Sequence, residues 1–252
     1  MQANTFSKQN FEDGKILLLH KEIGWTSFDV VKKVKNLIRQ AYQIKKIKVG
    51  HAGTLDPLAS GLLIICTGKF TKKISEIQSK RKVYTGQITL GSTTPSYDLE
   101  TSVDKIFDIS NISKTDILET ANKFIGVIQQ KPPIYSAIKV KGERLYEKAR
   151  RGESIDIKSR ETTIFSFEIK DIDLPHFKFE IECSKGTYIR SIADDFGKYL
   201  KNGAHLSQLT RNQIGDYDLS RAFTIDEFKK QLNLQNLLTR EAQCIIFADF
   251  KI

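Results

Sequence analysis

The segment Gly50-His51-Ala52-Gly53-Thr54-Leu55-Asp56-Pro57-Leu58-Ala59-Ser60-Gly61-Leu62-Leu63 holds the densest concentration of chemically informative residues in the chain. Gly50 and Gly53 permit backbone angles and close approaches that residues with a Cβ resist. Pro57 drives Asp56 out of the helical region into an extended conformation. Together they describe a tight, stiff loop able to project one carboxylate into a cleft, a geometry suited to nucleophilic or base chemistry. The same residues also fit a purely structural reading, in which Asp56 caps a helix that Pro57 begins. Other reactive types are dispersed. His20, His51, His176 and His205 are scattered, Cys66, Cys183 and Cys244 are far apart and odd in number, and no phosphate-binding loop or dinucleotide fingerprint occurs. Such a distribution predicts neither a metal site nor a disulfide framework, and a reducing cytosol is its natural home.

Several elements must hold such a loop in place. Ile16 to Leu19 reads as a buried strand ending at Gly24, and Ser27 as the N-cap of a helix whose Val30, Val31, Val34, Leu37 and Ile38 follow helical spacing. Val83 to Leu90 alternates as a strand, with Tyr84, Gly86, Ile88 and Leu90 on one side. Ser113 to Ile128 predicts an amphipathic helix. Thr163 to Ile169 and Phe177 to Cys183 predict two strands joined by a hairpin over Asp171 to His176, and Ile189 to Leu200 another helix. Strands in groups interspersed with helices, without a βαβ rhythm, predict an α+β fold with a mixed, mostly antiparallel sheet. Gly91 to Ser110 and Lys131 to Ser159 lack periodicity and read as long functional or mobile loops.

The composition excludes broad classes. With 252 residues, 40% hydrophobic and 28% charged, the chain is neither disordered nor fibrous. No apolar run exceeds the five residues of Leu62 to Cys66, far short of a membrane span, and Met1 to Gly14 lacks the apolar core of a secretory signal. Forty basic against thirty acidic residues give a formal charge of +10, and the excess is local. Lys32 to Lys48 carries seven basic residues and no acidic one, Lys69 to Lys82 six against one, and Lys139 to Arg160 eight against four. Asp216 to Ile252 carries five against six. Basic stretches flanking the Asp56 loop and the later motifs fit a phosphate-backbone partner, although any one such run also reads as a solvated helix face.

The segment around Asp56 resembles the G-H-x-G-x-L-D-P-x-A-x-G-L-L signature of the tRNA pseudouridine synthase B (TruB) family, with all ten specified positions present. Further motifs follow in family order. Lys82-Val83-Tyr84 resembles its K-x-Y strand, Pro132-Pro133-Ile134-Tyr135-Ser136-Ala137 its P-P-x-Y-S-A element, Cys183 to Arg190 its C-S-x-G-T-Y-I-R motif, and Leu209-Thr210-Arg211 its L-x-R element. The resemblance runs from about Gly14 to about Leu219. It implies a pseudouridine synthase fold, and an isomerase that converts the T-loop uridine at tRNA position 55 to pseudouridine after base flipping. No cofactor or metal is needed for that chemistry. The implied partner is the tRNA T arm and the implied setting cytoplasmic, with a monomer expected.

The resemblance also implies roles. Asp56 is the essential carboxylate, Arg190 the cation that keeps it ionised, and Tyr84 the aromatic ring that stacks on the uracil. Taken without the family, Tyr84 also reads as a core aromatic and Arg190 as a surface arginine. His51 would help hold the everted nucleotide, and Tyr188 and Leu209 would line the uracil pocket. Lys139, Lys141, Arg144, Lys148, Arg150 and Arg151 lie in a segment resembling a mobile thumb loop, which implies contacts to the RNA backbone. Shape and splayed-out bases would supply specificity.

Three departures stand out. The family's D-K-P-x-G is His20-Lys21-Glu22-Ile23-Gly24 here, keeping only Lys21 and Gly24. In Thr94 to Thr101, Asp98 is kept while Ser96 and Thr101 replace a Thr and a Gly. The chain is expected to form one catalytic domain over residues 1–252 with a short C-terminal extension and no PUA domain. Two competing readings differ in chemistry. One is a tRNA-binding or RNA-folding protein on the same scaffold. The other is a carboxylate glycosidase, which needs a second acidic group near Asp56.

Overall fold

The apolar run Leu62–Cys66 is unbroken because the strand carrying it is buried on both faces. The computed structural model describes residues 6–234 apart from 137, 141, 152, 154 and 156. Its elements begin with α1 (Lys8–Asp13), β1 (Ile16–Lys21), α2 (Ser27–Tyr42), β2 (Val49–His51), β3 (Ser60–Thr67) and α3 (Ile74–Ser79). There follow β4 (Lys82–Leu90), the short β5 (Ser92–Thr93) and β6 (Lys105–Ile106), α4 (Lys114–Lys123), β7 (Gly126–Gln130), β8 (Lys139–Val140), β9 (Glu143–Arg144) and α5 (Leu145–Arg150). The last are β10 (Arg160–Asp173), β11 (His176–Cys183), α6 (Ile189–Tyr199), β12 (Ala204–Ile214) and β13 (Tyr217–Asp218). Two compact units result, residues 6–79 with 212–234 and residues 80–211.

In the first unit β1 runs antiparallel to β3, from Ile16 opposite Cys66 to Lys21 opposite Gly61, and β2 pairs with β3 through His51 and Ile65. Leu63 and Ile65 pack with Leu17, Leu19 and the α2 stripe Val30, Val34 and Ile38. Leu62, Ile64 and Cys66 alternate to the other side, against Ile77 and Ile214. The α2 stripe follows the predicted spacing, but the helix begins differently. Thr26 is the N-cap and Asp29 closes a capping box with it, whereas Ser27 is already helical.

In the second unit β4, β11, β10 and β7 form consecutive antiparallel neighbours, with Tyr84 opposite Ile181 and Arg160 opposite Gln130. An aromatic layer packs there. The Phe124 and Phe196 rings stack 5.8 Å apart and Phe177 lies 4.8 Å from Phe196. The helix expected over Ser113 to Ile128 ends at Lys123. Gly126 takes φ +110°, and residues 126–130 turn into a strand against β10, which leaves Ile125 exposed. The expected hairpin is tighter than Asp171 to His176, since β10 runs to Asp173 and β11 starts at His176.

The architecture is α+β. Strand pairing within each unit is antiparallel, with isolated parallel bridges at Leu19–Phe223 and Asp98–Leu206 making it mixed. Among the described residues no helix is long and apolar enough to cross a membrane. Cys66 and Cys183 are buried thiols that burial pushes up to about 11 and about 12, so neither is a nucleophile at neutral pH. Cys244 and the rest of the expected C-terminal extension beyond residue 234 lie outside the described residues.

Candidate active site

The Asp56 loop is the connection between β2 and β3, and its backbone is pinned at five residues. The Ala52 N–H donates to the Ile64 carbonyl at 2.8 Å. The Leu55 N–H donates to Ser27 Oγ at 2.8 Å while the Ser27 hydroxyl donates to the Leu55 carbonyl at 3.1 Å. The Ala59 N–H donates to the Asp56 carbonyl at 3.1 Å, closing the turn. The Gly24 N–H donates to the Pro57 carbonyl at 2.8 Å. Gly53 takes φ +111°, the backbone freedom the sequence suggested, while a Cβ on Gly50 would come within 2.8 Å of the terminal methyl of Ile74, which could move aside. No helix follows Pro57, and β3 begins at Ser60, so Asp56 is not a helix cap. Its side chain is half-buried at the head of a rigid turn, with His51 on the incoming strand.

Lys21 completes the support. It is 0% exposed, and its ammonium donates to the carbonyls of Trp25 at 2.8 Å, Glu22 at 3.0 Å and Pro57 at 3.5 Å. A buried ammonium is tolerated only where carbonyls replace its water. The two residues that survive from the D-K-P-x-G pattern, Lys21 and Gly24, are thus the two that touch Pro57. Ser27, expected to cap α2, instead ties the helix to the loop. Ser27→Ala is expected to cost about 1–3 kcal/mol by leaving the buried Leu55 amide groups unpaired. It should also loosen the Asp56 turn. A denaturation midpoint equal to wild type would show that the loop does not depend on this tether.

In the second unit Tyr84 is buried on β4, so it has a core aromatic's environment as well as its motif position. Leu209 lies half-buried on β12. The two strands approach closely, because a Cβ on Gly86 would meet the Gln208 carbonyl at 2.4 Å. Tyr188 is the N-cap of α6 and makes no side-chain cap. Gln130 holds it instead, accepting from the Tyr188 N–H at 2.7 Å and donating to its carbonyl at 3.0 Å. The Arg160 guanidinium lies 4.8 Å from the centre of the Tyr188 ring. Arg190 follows in the first turn of α6 and is 3% exposed, so it is no surface arginine. Its guanidinium donates to the carbonyls of Tyr135 at 3.0 Å and Ser96 at 3.3 Å, and its Nε lies 3.5 Å from the Asp98 carboxylate. One buried cation thereby joins α6, the turn at 94–101 and the Pro132–Ser136 segment. The two departures in that turn compensate each other, since the Ser96 and Thr101 hydroxyls lie 2.8 Å apart and each accepts the other's backbone N–H.

Residues 39–189 match the model of the TruB family pseudouridylate synthase (N terminal domain). This chain belongs to the TruB family. It is 55% identical over 225 residues to tRNA pseudouridine synthase B of Flavobacterium johnsoniae, a match covering 89% of this chain and 98% of that relative. It is 48% identical over 223 residues to the protein of the same name from Chloroherpeton thalassium, covering 87% and 91%. Among solved structures, a chain of a Cbf5-Nop10-Gar1 complex aligns at TM-score 0.67 and 25% identity over 88% of this chain. The present chain spans 55% of that one's length. As a TruB-family member, the protein is a pseudouridine synthase, an isomerase.

Other positions depart from what sequence reasoning supplied. Lys82, quoted only as part of a TruB motif, is buried. Burial, then the positive charges of Arg211 and Lys185, bring its ammonium down to about 8. Gln130, Lys21 and Asp98 were likewise not singled out as site residues. Of the thumb-segment cations, Lys141 lies outside the described residues, as do the side chains of Lys139, Arg144 and Arg150. Lys148 and Arg151 are both ion-paired. Arg151 meets Glu143 at 2.5 Å and Glu153 at 2.7 Å, and Lys148 lies 3.7 and 3.6 Å from the same two carboxylates.

Proposed function

We propose that this protein converts the T-loop uridine at tRNA position 55 to pseudouridine, acting in the cytoplasm as a monomer. The observation that carries the reading is the Asp56 turn, which presents a half-buried carboxylate from a backbone fixed at five residues. The chemistry balances without an external reagent. The N1–C1′ bond breaks, the uracil rotates, a C5–C1′ bond forms, the proton on C5 leaves to solvent and N1 takes one up. Asp56 acts on the target nucleotide in this sequence, and Arg190 is the fixed positive charge of the reaction, held in position on α6 by contacts to two other segments. Tyr84 stacks on the uracil, a contact worth about 1–3 kcal/mol. Tyr188 and Leu209 bound the base, and His51 holds the everted nucleotide against the few kcal/mol that unstacking costs. The test is to incubate the purified protein with T-arm RNA tritiated at uridine C5. Release of one tritium per RNA, with pseudouridine mapped to the single T-loop site, is the expected result. Release of free uracil would instead mark a glycosidase.

The thumb segment from Lys139 to Arg151 grips the RNA in this reading. Lys148 and Arg151 must exchange Glu143 and Glu153 for phosphates as they do so. Removing the competing carboxylates should therefore help. Glu143→Gln combined with Glu153→Gln is expected to tighten tRNA binding about two- to fivefold at low salt, since exposed pairs are worth about 0–1 kcal/mol. The gain should vanish at high salt. Arg151→Ala should lower the slope of log K against log salt by about 1. Equal affinities for all three proteins in filter binding would remove the thumb segment from the RNA interface.

A further inference from the structure

A shallow groove of about 420 Å³ lies along the start of α2, lined by Gly24, Trp25, Asp29, Lys32, Lys33 and Asn36. The indole of Trp25 is half-buried against the core that α2 and β1 share, and its carbonyl is held by the Lys21 ammonium, so it is a fixed platform. Two apolar side chains beside the groove are turned to solvent, Ile23 at 64% and Phe28 at 70% exposure. The charges are mostly basic, two lysines against Asp29, whose carboxyl is held down first by its hydrogen bonds with Thr26 and also by the charge of Lys32. Lys32 and Lys33 are exposed, and among the described residues no carboxylate lies within ion-pair distance of either. The one acid in the groove, Asp29, is engaged in the α2 cap, accepting from the N–H of Thr26 at 3.0 Å and from its hydroxyl at 2.5 Å. The same helix face continues through Asn36 to Arg39 within a stretch, Lys32 to Lys48, that contains seven basic residues and no acidic one.

A solvated helix face has no need of a concave surface floored by tryptophan, nor of solvent-facing Ile23 and Phe28. Lysines carry the attraction of a polyanion, an aromatic surface stacks on an unpaired base, and an amide such as that of Asn36 reaches a ribose hydroxyl or base edge. We propose that this groove is a second RNA-binding site, in which Lys32 and Lys33 take backbone phosphates and an unpaired base rests on Trp25. It is built wholly from residues of the first unit and adjoins the support of the Asp56 turn, since Gly24 also donates to the Pro57 carbonyl, but it includes none of the residues given a part in the chemistry. The proposal rests on the reading that RNA is the substrate, and it adds a place where RNA outside the target nucleotide is held.

Trp25 is the only tryptophan in the chain, so intrinsic tryptophan emission reports on the groove alone. Titration with unmodified tRNA is expected to quench that emission along the same binding curve that filter binding gives, and added salt should restore it. Lys32→Ala combined with Lys33→Ala should lower the slope of log K against log salt by about 1.4–1.8, two phosphates at about 0.7–0.9 each. Alanine on an exposed helix face favours the helix, and a wild-type circular dichroism melt will exclude misfolding. Unchanged emission at saturating tRNA, or an unchanged slope in the double variant, would overturn the site. Pseudouridine mapped in the same wild-type reactions separates the two questions. Modification without quenching removes the groove and leaves the function, whereas quenching without modification removes the function and leaves the groove.

Discussion

Asp56→Asn will bind T-arm RNA as the wild-type protein does and release no tritium from uridine C5. The substitution replaces a carboxylate by an amide of the same shape, so the nucleophilic or basic oxygen is lost while the volume is kept. The turn itself should survive. It is held by the Ser27–Leu55 pair, by the Ala52, Ala59 and Gly24 amides and by Lys21, none of which involves the Asp56 side chain. Replacing a half-buried carboxylate by its isosteric amide should change stability by about 0.5–1.5 kcal/mol, the scale of a single hydrogen bond. The rate should fall by at least about a thousandfold, because a positioned acid–base group alone accounts for about 10²–10⁴ and a covalent role adds to that. Turnover comparable to wild type, measured with a preparation of the variant free of contaminating enzyme, would remove Asp56 from the chemistry. If the protein served only to fold or bind RNA, Asp56→Asn would match the wild type in every assay, and the wild type would release no tritium.

The Asp56 loop was legible in the sequence because its determinants are local. Two glycines, a proline and the acid between them lie within eight residues, and each acts on the backbone beside it. The alternation of β4 and the stripe of α2 were legible for the same reason. What was missed depends on partners far away along the chain. Ser27 looks like a cap because caps are read from the next few residues. Its hydroxyl is instead claimed by Leu55, twenty-eight positions on, and Thr26 takes over the cap. The helical pattern from Ser113 runs past its true end because Ile125 and Ile128 keep the period. Only the β10 edge, available in three dimensions, turns 126–130 into a strand. Neither Lys21 nor Gln130 has a local signature. A lysine after an apolar strand and a glutamine ending one both look solvent-bound until the carbonyls they serve are in place. Ser96 and Thr101 read as two separate losses from a pattern, and the hydrogen bonds between them show one coupled exchange.

Arg190 concentrates that non-local dependence in one side chain, and its replacement is expected to have the largest effect on stability. The guanidinium fork reaches Ser96, Tyr135 and Asp98 at once, whereas a lysine has a single nitrogen and cannot span the three. Arg190→Met removes the charge altogether and leaves Asp98, also buried, without its cation. Breaking a buried pair from one side costs about 3–5 kcal/mol, which should appear as a large drop in the denaturation midpoint. Adding Asp98→Asn to Arg190→Met removes the stranded charge and should recover part of that loss. Activity should not return with it, because the double variant still lacks the positive charge assigned to the reaction. Arg190→Lys should fall between, keeping a charge but losing the fork, with turnover reduced further than tRNA affinity. The three variants together separate the two roles of the arginine. If the double variant regained turnover in step with stability, Arg190 would be a structural clamp for the 94–101 turn and nothing more.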